Sequence, residues 1–392
     1  MSLYDFDSPP ARRPAHSLKW SAFPEDVLPM WVADMDFASP PEVAQALVER
    51  FSTGYFPYTM DYPPLREAII ERMARLYQWT VKPEEVVCVP GMVLALNLAA
   101  RSVGKAGDAI LSQTPVYGPF LSVPANNQKF ARTVDLSYRA TSASTFTYDM
   151  DFAAFEAACT KQTSLFYQCN PHNPGGMIAT RAELERLAEI CLRHKVVICA
   201  DEIHSDLILD ENAKHIPIAT LSPEVAQQTI TLIAPSKSYN IPGLTCSIAI
   251  IPNPQLRASF EQAAMGLGVH TNIAGLIAGN AAYRYGDVWL KAALDYMRAN
   301  RDYLVDFFAR ELPMLKTTVP QATYLAYIDC RGLNVPEGMS AQQFFMKEAK
   351  VAMNDGTFFG AVGAGFVRLN FACSRATLQD ALERMKAAIA KL

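Results

Sequence analysis

The chain has 392 residues, half of them hydrophobic, with a formal net charge of −4. That length exceeds one ordinary domain and predicts two. No basic domain or Lys/Arg run supplies the electrostatic footprint of nucleic-acid binding, and no apolar stretch reaches the roughly 18 residues of a membrane span.

Residues 1–42 are rich in proline and charge and read as an irregular arm that joins a smaller domain. Arg12-Arg13 is not followed by the apolar run of a secretory signal. From 43 to 286, short apolar runs alternate with helical patterns. The runs are Val86–Val89, Ala109–Leu111, Leu165–Cys169, Val196–Ala200, Thr229–Ile233 and Ser247–Ile251. They are continuously apolar, as expected of parallel strands covered on both faces. Thr180 and Glu183 form a capping box ahead of a stripe of Leu184, Leu187, Ala188 and Cys191. This pattern predicts an α/β doubly wound sheet, which binds ligands outside the carboxyl ends of its strands.

Residues 287–392 differ in texture. A long amphipathic helix carries Leu290, Leu294, Met297, Leu304, Phe307 and Phe308. Alternating strands follow at Thr323–Ile328 and Phe366–Phe371, then a helix with Leu378, Leu382, Met385 and Ile389. The expectation is a smaller α+β domain. The glycine-rich GAVGAG (360–365) precedes a strand, not a helix, and so lacks the dinucleotide-binding frame.

Eight cysteines form no CxxC pair, and six histidines show no HExxH or other metal spacing. No metal site and no disulfide framework is expected at this length. The default is a soluble, reduced, cytosolic protein.

Four segments place polar residues directly after apolar strands. In VPGMVLALNLAA (89–100), Gly91, Met92 and Val93 could present backbone N–H groups at a helix N-terminus, an anion site, or form a plain strand–helix turn. In FYQCNPHNPGG (166–176), two Asn-Pro steps and Gly-Gly force a tight turn, from which Asn173 could donate its amide to a ligand. In VVICADEIHSDL (196–207), Asp201 could pair with a cationic ring nitrogen or simply cap a helix. His204 could bond a phenolate or carboxylate, or be a satisfied buried histidine. In IAPSKSYNIPGL (233–244), Lys237 ends a buried strand beside Ser236. A snorkelling surface lysine is the bland alternative. Burial would lower its pKa and free the amine for covalent chemistry. Arg368 is flanked by Val367, Leu369 and Phe371 on the opposite strand face, with Phe366 on its own, a setting that suits a partly buried guanidinium.

The set NPHNPGG, DEIHSDL and APSKSYNIPGL resembles the fold-type-I pyridoxal-phosphate (PLP) enzymes of the aminotransferase class I/II superfamily, whose Asn, Asp and Schiff-base Lys stand on successive strand ends. Here those are Asn173, Asp201 and Lys237. The resemblance runs nearly end to end, through WVADMDF (31–37), FPYT (56–59), PVYGPF (115–120), TYLAYIDCRGL (323–333), NDGTFFG (354–360) and GFVRLNFACSR (365–375). The details resemble the cystathionine β-lyase or cysteine-S-conjugate β-lyase branch (MalY/PatB-type). His204 stands where aminotransferases generally have Tyr, and Thr245 where they commonly have an Arg on the cofactor phosphate.

The resemblance implies a PLP-dependent transferase-like fold, with a large mostly parallel sheet flanked by helices and a smaller α+β domain. It implies PLP held as a Schiff base on Lys237. Gly91, Met92, Val93 and Ser236 would hold the phosphate, joined by Tyr58 from a partner subunit in a homodimer. Tyr117 would stack on the ring, Asp201 would keep its nitrogen protonated, and Asn173 would bond the 3′-oxygen, with His204 nearby. Arg368, with Asp34 and Asn173, would bind the substrate. The implied reaction is α,β-elimination from a cysteine S-conjugate to thiol, pyruvate and ammonia. Amino transfer by the same residues is the alternative, and a regulatory protein-contact role is a third.

Overall fold

The computed structural model describes residues 4–59 and 61–392. Its larger sheet has seven strands in the order Val86–Val89, Ser247–Ile250, Thr229–Ile233, Val197–Asp201, Thr163–Cys169, Ala109–Thr114 and Phe130–Asp135. All run in one direction except Ser247–Ile250, which is antiparallel to both neighbours. The expectation of a parallel strand at 247–251 is therefore corrected. Between 234 and 246 the chain forms only the single-turn helices Pro235–Ser238 and Pro242–Leu244. Without a crossover helix the chain turns straight back. An apolar run buried on both faces carries no mark of its direction.

Helices cover both sheet faces. Arg181–His194 opens with the Thr180–Glu183 capping box and buries Leu184, Leu187, Ala188, Ile190 and Cys191. On the other face, Met92–Ser102 packs Ala95, Leu96 and Ala99 into a cluster with Ile110, Tyr167 and Leu232.

A six-stranded sheet runs Asn354–Asp355, Phe366–Asn370, Leu325–Asp329, Lys316–Thr318, Thr145–Asp149 and Ser137–Ala140. Its last two strands come from inside the 43–286 span. Strand pairing thus does not follow the division expected at 286, because Thr317 and Thr318 pair in parallel with Thr145 and Phe146. The arm pairs Leu28 and Pro29 with Val351 and Ala352. A continuous apolar cluster then joins Met30, Met35 and Phe37 of the arm to Leu304 and Phe308 of the long helix Asp287–Glu311 and to Leu369.

The strand directions bring four strand ends to one crevice. Val89, Cys169, Asp201 and Ile233 all finish at the edge of the sheet that faces the arm and the strand Phe366–Asn370.

Candidate active site

A cavity of about 320 Å³ occupies that crevice. Gly91, Met92, Val93, Tyr117, Asn173, Asp201, His204, Ser236, Lys237 and Arg368 all line it. Two expected residues do not. Tyr58 is fully exposed on its own chain. Asp34 stands behind the cavity wall, within the electrostatic reach of Lys237 and with Oδ1 3.5 Å from Lys19 Nζ. The ammonium of Lys19 is buried at 1% exposure, and a buried cation is stabilised by a carboxylate within reach.

At one end of the cavity, Gly91 opens the helix Met92–Ser102 with φ +116°. No neighbouring atom lies where a Cβ would stand, so glycine is required by the dihedral angle and not by crowding. The helix has no side-chain cap and no acidic residue in its first turn. The Gly91 N–H donates to Val89 O at 2.9 Å, which leaves the N–H groups of Met92 and Val93 to face the cavity, a geometry that attracts anions. Ser236 and Thr245 add hydroxyls to the same wall.

Asp201 is buried at the end of its strand and accepts one backbone N–H, from Ile203 at 3.1 Å. Burial pushes its pKa up to about 7, against that hydrogen bond and the nearby Lys237. A carboxylate held this way is stabilised by a cationic group in the cavity. His204 is buried and driven down to about 3, first by burial and then by the charges of Lys237 and Arg368. It is a neutral ring, and its Nδ1 has no partner among the described residues.

Lys237 sits on the helical turn Pro235–Ser238, one turn beyond the strand expected to carry it. Its Nζ donates to the carbonyl of Ala33 at 2.6 Å. Burial draws its pKa down to about 8, despite Asp34 and Asp201, which favour the ammonium. The amine is thus neutral above about pH 8 and protonated below it. In the ligand-free chain, acylation of Lys237 by an amine-selective reagent is expected to rise through a midpoint near pH 8, against about 10.4 for ordinary lysines. Peptide mass spectrometry reads both in one sample, and a Lys237 midpoint matching the surface lysines would refute a desolvated amine.

Arg368 is 3% exposed and has no ion-pair partner among the described residues. Its Nη1 donates to Asn173 Oδ1 at 2.8 Å, and its Nη2 to Trp31 O at 2.8 Å and Asn354 Oδ1 at 2.7 Å. The Nε is unpartnered. Neutral acceptors fix the guanidinium plane, and the charge remains uncompensated on a cavity wall. That is a docking point for a carboxylate. Because Asn173 Oδ1 is engaged by Arg368, its amide Nδ2 is left as the donor that can face a ligand.

The sequence reading gave no role to Trp31, Asn354, Tyr324 or Asn370. Val32 O and Asp34 O both accept from Asn370 Nδ2 at 2.6 Å, and Ala33 O also accepts from Tyr324 at 3.0 Å. These residues hold the segment WVADMDF against the cavity through its main chain, which no side-chain pattern could announce.

Taken together, an anion cradle, a buried carboxylate seeking a cation, a desolvated amine and an unpaired guanidinium suit a phosphorylated, cationic, carbonyl-bearing ring beside an amino acid. No group of side chains fit to hold a metal ion occurs among the described residues.

The comparisons point the same way. The model of the family "Aminotransferase class I and II" matches residues 25–385. The chain is 38% identical to cystathionine beta-lyase PatB of Bacillus subtilis, over 98% of this chain and 100% of that one. It is 31% identical to protein MalY of Escherichia coli, over 96% of each. The PLP-bound C-S lyase from Staphylococcus hominis superposes with a TM-score of 0.92 at 30% identity, covering 99% of both chains. The chain belongs to the aminotransferase class I and II family, and its fold is that of the PLP-dependent enzymes in it.

Proposed function

We propose that this protein is a PLP-dependent carbon–sulfur β-lyase that cleaves cystathionine or other cysteine S-conjugates to thiol, pyruvate and ammonia. One observation carries the reading: the unpaired guanidinium of Arg368 and the desolvated amine of Lys237 line the same cavity of about 320 Å³. The first binds an amino acid's carboxylate while the second reaches its Cα. The full-length likeness to cystathionine β-lyases favours elimination over amino transfer as the outcome.

PLP, when bound, supplies an electron-withdrawing ring that stabilises negative charge at the substrate Cα. The chain's residues do the rest. The N–H groups of Met92 and Val93, opened by the turn at Gly91, and the Ser236 hydroxyl would hold the phosphate. Asp201, as a carboxylate beside the ring nitrogen, would favour a proton there. The Nδ2 of Asn173 would donate to the 3′-oxygen, His204 would be a neutral neighbour, and Tyr117 would cover the ring face. Lys237 would anchor the cofactor covalently through its amine. That same Nζ, when free, would remove the Cα proton as general base. Arg368 holds the carboxylate so that the Cα–H faces Lys237. The Cβ–S bond then breaks, which is reasonable for a thiol of pKa about 8.5.

The working unit on this reading is a homodimer. Tyr58 belongs to an exposed aromatic run with Phe51, Tyr55 and Phe56, a patch of the kind that marks protein contacts. From there Tyr58 would reach the partner's phosphate site. The eight cysteines are all free, which suits a reducing cytoplasm. The test is incubation of the PLP-loaded protein with L-cystathionine. Pyruvate release without added keto acid is expected. Amino transfer dependent on a keto acid, with no pyruvate, would overturn the lyase reading in favour of an aminotransferase.

A further inference from the structure

Behind the cavity, the arm carries a closed cluster of four charges. Lys19 Nζ lies 3.1 Å from Asp36 Oδ1 and 3.5 Å from Asp34 Oδ1. Asp36 is well served: its Oδ1 also accepts Trp20 Nε1–H at 2.7 Å, and its Oδ2 lies 3.4 Å from Arg12 Nη1. The Arg12 guanidinium in turn stacks 3.8 Å over the Trp20 ring. Asp34 is different. Lys19 is its one ion-pair partner among the described residues, whereas Asp36 has both Lys19 and Arg12.

The main chain around Asp34 cannot move freely. Val32 O and Asp34 O are held by Asn370, and Ala33 O is held by Tyr324 and by Lys237 itself. The Asp34 carboxylate is therefore hung one residue from the carbonyl that Lys237 touches, with a loose contact to Lys19 as its lateral restraint. A charge placed there acts on both lysines.

We propose that Asp34 sets the proton affinity of the Lys237 amine, and that Lys19 is a positioning residue that draws the Asp34 carboxylate aside and moderates its pull. The proposal rests on Lys237 being the working amine of the cavity. The groups facing Lys237 are Asp34 and Ala33 O from the arm, Asp201 and His204 from the end of the strand Val197–Asp201, Tyr324 ahead of Leu325–Asp329, and Arg368 from Phe366–Asn370. Asp34 and Asp201 favour the ammonium, and Arg368 opposes it. Lys19 and Asp36 face Asp34 from the far side. Lys19 is not among the charges acting on Lys237 directly, so its influence runs through Asp34.

The experiment measures the pH midpoint of Lys237 twice. One reading is acylation of Lys237 in the full-length, cofactor-free chain; the other is the pH-dependent absorbance of the PLP-loaded protein. Asp34→Asn, which keeps shape and removes charge at a partly exposed side chain, is expected to lower the midpoint by about one pH unit. Lys19→Met releases the carboxylate and is expected to raise it by about half a unit or more, while Lys19→Arg keeps the wild-type value. In the double variant Lys19→Met/Asp34→Asn the upward shift disappears. If Lys19→Met fails to fold, Asp34→Asn alone decides. An unchanged midpoint in Asp34→Asn, or an upward shift in Lys19→Met that persists without Asp34, overturns the proposal. Failure of the enzymatic reading would look different: borohydride would leave Lys237 unmodified in the PLP-treated protein, while the midpoint shifts in the cofactor-free chain would remain.

Discussion

Lys237→Ala is expected to abolish pyruvate release from L-cystathionine, with kcat/KM falling by at least ~10⁴-fold, about 5 kcal/mol of transition-state stabilisation. Two functions disappear together, since the amine both anchors the cofactor and moves the Cα proton. The loss belongs to chemistry and not to folding. Ala33 O loses its bond from Nζ but keeps the one from the Tyr324 hydroxyl at 3.0 Å, so no carbonyl is stranded. The variant should therefore melt close to wild type, and borohydride should no longer fix the cofactor to the chain. Added methylamine, small enough for the space the side chain leaves, is expected to restore part of the rate. Turnover at the wild-type rate would refute the assignment of Lys237.

Arg368→Ala is the second large effect. The guanidinium is the cation proposed to hold the substrate carboxylate, and a charged contact of this kind in a buried site is worth about 3–4 kcal/mol. A fall of about 10²–10³-fold in kcat/KM is expected, mostly as a rise in KM. The variant should also lose its preference for an amino acid over the corresponding amide. Arg368→Lys should recover little. An ammonium has three N–H donors, so holding Asn173, Trp31 O and Asn354 would leave it none for the carboxylate, whereas the guanidinium has five. The melting temperature provides the control, because the alanine variant leaves those three acceptors without their donor. An unchanged KM in a folded Arg368→Ala protein would place the carboxylate elsewhere.

Both effects depend on residues whose types were legible before the fold. Asn173, Asp201 and Lys237 each follow an apolar run, and in a parallel sheet the ends of such runs must share one edge. The seven-stranded sheet realises this, and the three side chains line one cavity. Local signals were equally plain at the helix ends. The Thr180–Glu183 box starts its helix where expected, because capping depends on residues three apart and on nothing more distant.

Other features have no local signal. The direction of Ser247–Ile250 follows from the absence of a crossover helix before it, while its composition matches that of its parallel neighbours. Strands Ser137–Ala140 and Thr145–Asp149 form a hairpin that completes the second sheet, the latter pairing with a segment some 170 residues away. Asp34 stands in the same seven-residue motif as Trp31, yet one supplies a carbonyl to Arg368 and the other turns to a lysine in the preceding helix.

The sequence by itself determined which chemical groups the site contains and that strand ends would gather them: an amine, a carboxylate, an amide and a helix N-terminus. Periodicity, caps and turn residues are short-range, so they survive in a linear reading. Only the tertiary structure decided the electrical state of those groups. Lys237 is a desolvated amine because the arm, the strand ends and the second sheet close over it. Arg368 is an unpaired cation because its three partners, drawn from positions 31, 173 and 354, are all neutral. Burial and charge are sums over everything nearby in space, and the residues that set them here lie up to 337 positions apart in the chain.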